Sequence, residues 1–309
     1  IISKEISTSN GHVLQLGVDD DVIYEIPNGK ERTTEKLRNE FIRICSEIRK
    51  KDGLPQVNHP FDVSFSTRYN SEFWDMVEIY ESIENWNGAT PFAAGTINAK
   101  AFKKWLSLLD EGKRLTATTG SDTHNIYGDD YFGMTEWLDW LMDIVMKHPE
   151  IYPVHMNENV AYLTWLYNKV WPRLLSWVEQ SNTPSTIHNY VYTNGKNQPQ
   201  EILQAIREGH SFISNGPLIT AEINGVSYGD TATLKDNTGK LSVHVFSKKP
   251  INHLWMYTGV DKKVEICTGS GSLEGGFAYD IVTDEFDFGG ASWALFVADG
   301  GENNLAISN

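Results

Sequence analysis

The feature that most constrains the fold is the alternation of short strand-like runs with amphipathic helical runs from Ile1 to about Gly216. In one helical run, apolar residues recur at Leu37, Phe41 and Cys45, and a short β-branched run follows each such segment. Strand–helix units of this kind are typical of a parallel sheet or barrel. We therefore expect an α/β fold for this part of the chain.

Two segments depart from this alternation. Residues 129–184 hold five of the ten tryptophans on two long helical patterns, which predicts a helical insertion. We interpret its aromatic residues as packing between two helices. A lid over the site is the alternative interpretation. Residues 217–309 instead alternate short strands with Gly, Asn and Asp turns, which predicts a small antiparallel, immunoglobulin-like β-sandwich.

Charge and hydropathy exclude two classes of partner. The 309 residues include 41 acidic against 26 basic side chains, a formal charge of −15, so the chain repels nucleic-acid backbones. No run of eighteen apolar residues occurs, so we expect no membrane-spanning helix. Cys45 and Cys267 lack metal-binding spacing and do not indicate a compartment. The sequence does not indicate an oligomeric state.

The strongest local motif is Gly-Ser-Asp-Thr-His at residues 120–124, directly after an apolar strand. In an extended backbone Asp122 and His124 project to the same side, so a carboxylate and an imidazole could bind one metal ion. The pattern Asp-x-His also occurs by chance. Its position at the end of a strand favours a functional site.

Further metal-binding candidates follow other strands. His59 lies in Asn-His-Pro-Phe at residues 58–61, where it could instead be a structural turn histidine. Glu5 and His12 lie on two early strands around an Asn-Gly turn, and structural hydrogen bonding would explain them equally well. Glu84 is a candidate at another strand end.

Taken together, these motifs resemble the polymerase-and-histidinol-phosphatase (PHP) metallohydrolase superfamily and, within it, the CehA/McbA-like branch. The resemblance covers residues 5–128 and 190–309. It depends on the motifs at residues 4–8, 11–14, 58–60, 84–88, 120–124 and 205–217. Several motifs in the family's order are more specific than any one of them.

The resemblance implies a distorted (β/α)7 barrel over residues 1–216, with two or three divalent metal ions at the carboxyl ends of its strands. It implies that Glu5 bridges the metals, that His12 and His59 bind one of them, and that Asp122 and His124 complete the cluster. Because the ligand set mixes Glu, Asp and His, the expected metals are Zn, Mn or Fe.

Two departures from the family affect the site. The family motifs Asp-x-His-x-His and Thr-Asp-His should precede Glu5, and neither occurs in these 309 residues. We expect them upstream of Ile1; the alternative is a degenerate barrel. In addition, His210 stands where many relatives have arginine, so an imidazole replaces a cation there.

The resulting hypothesis is a metal-dependent hydrolase of phosphoesters that activates water with its metals and acts on a small anionic or ester-bearing substrate. His124 or His210 would donate a proton to the leaving group, and Glu84 is a third catalytic candidate. Carbamate or amide hydrolysis, known in the same branch, is one alternative. From another class, a catalytically inactive barrel could bind glycans or a protein. The appended sandwich is compatible with an extracytoplasmic enzyme.

Overall fold

The computed structural model divides the chain into two compact units, residues 1–120 with 187–309, and residues 121–186. The structure describes residues 1–8, 10–25, 33–62, 68–88, 92–122, 187–267, 271–273, 275–301 and 304–309. The predicted helical insertion at 129–184 therefore lies outside the described residues. The first unit is described below.

The first part of this unit is a five-stranded sheet with helices between its later strands. Its strands, in spatial order, are β1 (Ser3–Thr8), β2 (Gly11–Leu16), β3 (Leu54–Asn58), β4 (Ser82–Asn87) and β5 (Thr116–Gly120). The helices are α1 (Thr34–Lys50), a 3-10 helix (Ser71–Ile79) and α2 (Ile97–Asp110). In the described residues no helix is long and apolar enough to span a membrane.

The second part forms two antiparallel sheets and one helix. Its elements are β6 (His188–Val191), α3 (Pro199–Arg207), β7 (Ser211–Ser214), β8 (Leu218–Ile223), β9 (Val226–Ser227), β10 (Thr238–Ser247), β11 (His253–Gly259), β12 (Lys262–Cys267), β13 (Gly271–Leu273), β14 (Gly276–Asp287), β15 (Leu295–Asp299) and β16 (Leu305–Ser308). The second sheet has the order β13-β14-β10-β8-β9, and the third has the order β12-β11-β15-β16-β7-β6.

The predicted (β/α)7 barrel is wrong. The described strands form three mostly antiparallel sheets, in which only β3–β4 and β4–β5 pair in parallel, and they do not close into a barrel. Periodicity indicates that a helix follows a strand, but not at which end the next strand enters the sheet. β2 and β3 flank α1 in the sequence and yet run antiparallel.

The central strands of the third sheet, β15, β16 and β7, are buried on both faces. Ile213, Val297 and Ile307 belong to the core that contains α1 and α2, whereas the adjacent Phe212 and Ala298 belong to the core shared with the second sheet. Successive residues of these strands point to opposite faces, so both sets of side chains are buried. Because β7 and β16 belong to this one sheet, the predicted boundary at 216/217 lies within it. The immunoglobulin-like sandwich stays a prediction.

Two asparagine side chains join the first sheet to the third at the free edge of β5. Asn309 Oδ1 accepts the Ala117 N–H at 2.5 Å, and its Nδ2 donates to the Ala117 carbonyl at 3.1 Å. Asn189 bonds Thr119 in the same way, at 2.9 and 2.8 Å. These amides satisfy backbone groups that another strand would otherwise pair, so the sheets meet without a shared strand ladder.

The two faces of the first sheet differ in chemistry. One row across its five strands is apolar and lies in the core: Ile6, Val13, Val57, Ile83 and Ala117. The adjacent row points to the other face: Glu5, Leu14, Gln56, Ser82 and Thr116. At one end α3 covers this polar face, where Leu203 and Ile206 pack on Leu54. The other end carries the candidate site.

Candidate metal centre

Three predicted metal ligands lie together at the end of the polar face away from α3. Glu5 on β1, His12 on β2 and His59 just after β3 each offer one ligand atom, and these atoms lie within 4.8 Å of one another. The strand register explains why they meet: His12 stands opposite both Ser7 and Asn58, so these residues share a face with Glu5.

The contacts within this cluster are short. Glu5 Oε1 lies 2.6 Å from His12 Nδ1, and Glu5 Oε2 lies 3.4 Å from His59 Nε2. The two imidazole rings are 4.9 Å apart and nearly perpendicular, at 76°. The His59 side chain is only 4% exposed, whereas 28% of the Glu5 side chain reaches solvent, so the cluster is open on the Glu5 side.

Glu5 is held in its ionised form. Burial by itself would raise the pKa of this carboxyl, but hydrogen bonds from His12, His59 and Asn58 outweigh burial and hold the pKa well below its usual range. Asn58 Nδ2 makes the shortest of these contacts, at 2.5 Å from Glu5 Oε2. At neutral pH the cluster therefore presents a carboxylate.

The backbone at His59 adopts an unusual conformation that neighbouring acids support. His59 has a φ of 22°, in the region that non-glycine residues rarely occupy. The carboxylate of Glu84 accepts the His59 N–H at 2.6 Å. Asp62 Oδ2 lies 3.9 Å from His59 Nδ1, on the ring nitrogen that faces away from Glu5. A carboxylate behind a histidine is a common support of metal-binding imidazoles.

A β-bulge in β4 keeps Glu84 on the polar face. Glu84 pairs with Thr118 and Trp86 with Thr119, so one extra residue lies between them on β4. The bulge turns Trp86 into the apolar core while Glu84 still points toward His59. A Cβ at Gly120 would lie 2.6 Å from Glu84 Oε1, so a larger residue there would have to displace the Glu84 carboxylate. The structure thus gives Glu84 a supporting contact, and its catalytic role stays a prediction.

The other predicted ligands belong to the second compact unit. Asp122 is partly buried and has a φ of 53°, which is uncommon for a residue with a side chain. His124 lies outside the described residues. Metal binding by Asp122 and His124 stays a prediction.

The structure does not bring His210 to the cluster. His210 directly precedes β7, whose first residue lies beside Ala117 near the start of β5. His210 is not part of the described three-ligand group, and Glu84 pairs with Thr118 in the middle of β5. The His210 ring instead lies between Glu208 and Asp230, with its nitrogens 3.4 and 3.2 Å from their carboxylates.

Sequence reasoning missed several polar residues of this region. Asn58 was part of a motif but was given no role, and Gln56, two residues earlier on β3, was not considered. Polar residues at alternate positions of a buried strand do signal a polar face, and this signal could have identified both. Asn85 is fully buried, and neither of its amide atoms has a hydrogen-bond partner among the described residues.

Comparison with protein-family models, with curated proteins and with solved structures finds no match to this chain. A functional hypothesis must therefore start from the chemistry of the cluster. One carboxylate and two imidazoles are a donor set found in catalytic zinc sites, and the same donors also suit Mn and Fe(II). The residues present therefore fit a divalent metal ion.

The low pKa of Glu5 predicts a specific acid sensitivity of the metal-free protein. Because the folded-state pKa lies below the ordinary value of about 4.3, Glu5 stabilises the fold above that pH, and this contribution is lost as the pH falls through the folded value. Urea unfolding of the wild type and Glu5→Gln should therefore differ most at neutral pH. A difference that stays constant down to about pH 3 would contradict this prediction.

Proposed function

We propose that this chain is a divalent-metal-dependent hydrolase whose metal is bound by Glu5, His12 and His59. The observation that carries the proposal is the approach of these three ligand atoms to within 4.8 Å of one another on adjacent strands. The ionised state of Glu5 and its position on a regular strand also support it, since rigid elements position ligands precisely.

A divalent metal bound there would polarise an ester oxygen, stabilise developing negative charge and lower the pKa of a water molecule. The protein's own groups have distinct tasks in this proposal. Glu5 supplies the negative charge, and the two imidazoles supply neutral nitrogen donors. Glu84 holds His59 through its backbone N–H, and the Asp62 carboxylate lies 3.9 Å from the far ring nitrogen of His59. The open Glu5 side leaves room for a substrate to approach.

We propose phosphoesters as the substrate class. The support is the resemblance of several motifs, in order, to the PHP metallohydrolases, together with the metal-compatible cluster. The chain carries a formal charge of −15, so an anionic substrate would need a bound cation at the site to offset repulsion. Carbamate and amide esters are the alternative substrates.

The test combines elemental analysis with hydrolysis assays of the purified protein after addition of Zn(II), Mn(II) or Fe(II). We expect about one metal ion or more per chain and metal-dependent hydrolysis of p-nitrophenyl phosphate. Hydrolysis of aryl carbamates alone would overturn the choice of phosphoesters. Absence of bound metal together with absence of hydrolysis would overturn the enzyme proposal and favour a binding module.

A further inference from the structure

A chain of buried hydrogen bonds leads from Glu5 into the first sheet. Asn58 Nδ2 donates to Glu5 Oε2 at 2.5 Å, and Gln56 Nε2 donates to Asn58 Oδ1 at 2.8 Å. Gln56 Oε1 in turn accepts the hydroxyl of Thr118 at 2.8 Å and that of Ser82 at 3.3 Å. The chain thus crosses the sheet from β5 and β4 through β3 to β1.

Water has little access to these groups. Gln56, Asn58, Ser82 and Thr118 are each at most 6% exposed. A buried amide that loses its partner keeps the full cost of desolvation, so the members of this chain depend on one another. Their arrangement is therefore a fixed part of the sheet.

The charge on Glu5 sets the direction of the two bonds that the amides of Asn58 and Gln56 donate. A carboxylate only accepts hydrogen bonds, so Asn58 must turn its NH2 group toward Glu5 and its oxygen toward Gln56. Gln56 must then present its own NH2 group to Asn58 and its oxygen to the hydroxyls. Reversal of either amide would bring two acceptors together. All the donor ends consequently point toward Glu5.

We propose that Gln56 is a positioning residue of the metal centre: through Asn58, it fixes the orientation of the Glu5 carboxylate. This inference rests on the proposed function. Asn58 restrains Glu5 Oε2, and Gln56 prevents the Asn58 amide from reversing. Partners of this kind, one step removed from the metal, typically change metal affinity by about 10–100-fold.

The central experiment compares Gln56→Met with Gln15→Met. Gln15 is an equally buried glutamine, 1% exposed, but it bonds only backbone groups of Val18, Asp20 and Val22. The measurements are the Zn(II) dissociation constant by calorimetry, the visible absorption spectrum of bound Co(II), and urea unfolding of the metal-free protein. We expect Gln56→Met to weaken Zn(II) binding about 10–100-fold and to alter the Co(II) spectrum.

The control separates positioning from general destabilisation. Gln15→Met should lower the urea midpoint comparably and leave the Zn(II) dissociation constant and the Co(II) spectrum unchanged. If Gln56→Met does not fold, Thr118→Val removes a donor at the far end of the same chain and keeps the side-chain shape. It should weaken Zn(II) binding in the same direction, by a smaller factor.

The outcomes distinguish this inference from the proposed function. Wild-type protein that binds neither Zn(II) nor Co(II) overturns the proposed function, and this inference falls with it. Wild-type protein that binds both metals, with unchanged affinity and spectrum in the Gln56 and Thr118 variants, overturns the positioning role alone. Equal losses of affinity in Gln56→Met and Gln15→Met would also overturn it, because the effect would then follow stability.

Discussion

Glu5→Gln is expected to weaken Zn(II) or Mn(II) binding by at least about 100-fold and to abolish metal-dependent hydrolysis. The substitution keeps the shape of the side chain and removes the only carboxylate of the cluster. The NH2 group of the new amide would also face a donor in either orientation, because His12 donates to one oxygen of Glu5 and Asn58 donates to the other. Metal titration by calorimetry and hydrolysis of p-nitrophenyl phosphate measure the two effects.

The chain offers a closely matched control in Glu265. Its carboxylate accepts a hydrogen bond from His253 at 2.5 Å on a neighbouring strand, and its side chain is 31% exposed against 28% for Glu5. This pair is not part of any described three-ligand group. Glu265→Gln should therefore leave metal affinity unchanged. Metal binding that survives Glu5→Gln, or that falls equally in both variants, would place the metal elsewhere.

Local patterns in the sequence predicted much of what positions the cluster. Helix α1 contains the predicted helical run of Leu37, Phe41 and Cys45, and Thr33 accepts the Lys36 N–H as its N-terminal cap. The strands that hold Glu5 and His12, and the strand before His59, also agree with the predicted runs. These elements follow from periodicity and turn residues, which act over a few positions.

The direction and pairing of strands depend on contacts between distant residues, and here the sequence patterns failed. The alternation of strand-like and helical runs favoured a parallel sheet, but β7 pairs antiparallel with both β6 and β16, and β7 and β16 are buried throughout. The bonds from Asn309 to Ala117 and from Gln56 to Thr118 join residues 192 and 62 positions apart. Such single polar contacts have no periodic signature.

Glu5, His12 and His59 nevertheless lie together, although the predicted barrel is wrong. Only the register of three adjacent strands is required: β1 and β2 form a hairpin, and β3 pairs with β2. A cluster that depends on local pairing is less sensitive to the overall topology than one assembled from several distant strands. Sequence motifs could therefore name three residues that the structure brings together while predicting the wrong fold around them.

Asn309→Leu is expected to lower the free energy of unfolding of the metal-free protein by about 2–4 kcal/mol. Ala117 is 1% exposed, and its N–H and carbonyl both bond the Asn309 side chain. Leucine has a similar size but leaves both groups buried without these partners, at a cost of about 1–3 kcal/mol each. Urea unfolding with linear extrapolation measures the change.

A surface asparagine provides the control for this prediction. Asn197 is exposed and accepts one hydrogen bond from Thr193, so Asn197→Leu should change the free energy of unfolding by less than about 0.5 kcal/mol. Asn309→Asp keeps an acceptor for the Ala117 N–H but turns a carboxylate toward the Ala117 and Ser211 carbonyls, so it should destabilise the fold as well. If Asn309→Leu changed stability no more than Asn197→Leu, the amide would not be what joins the first sheet to the third.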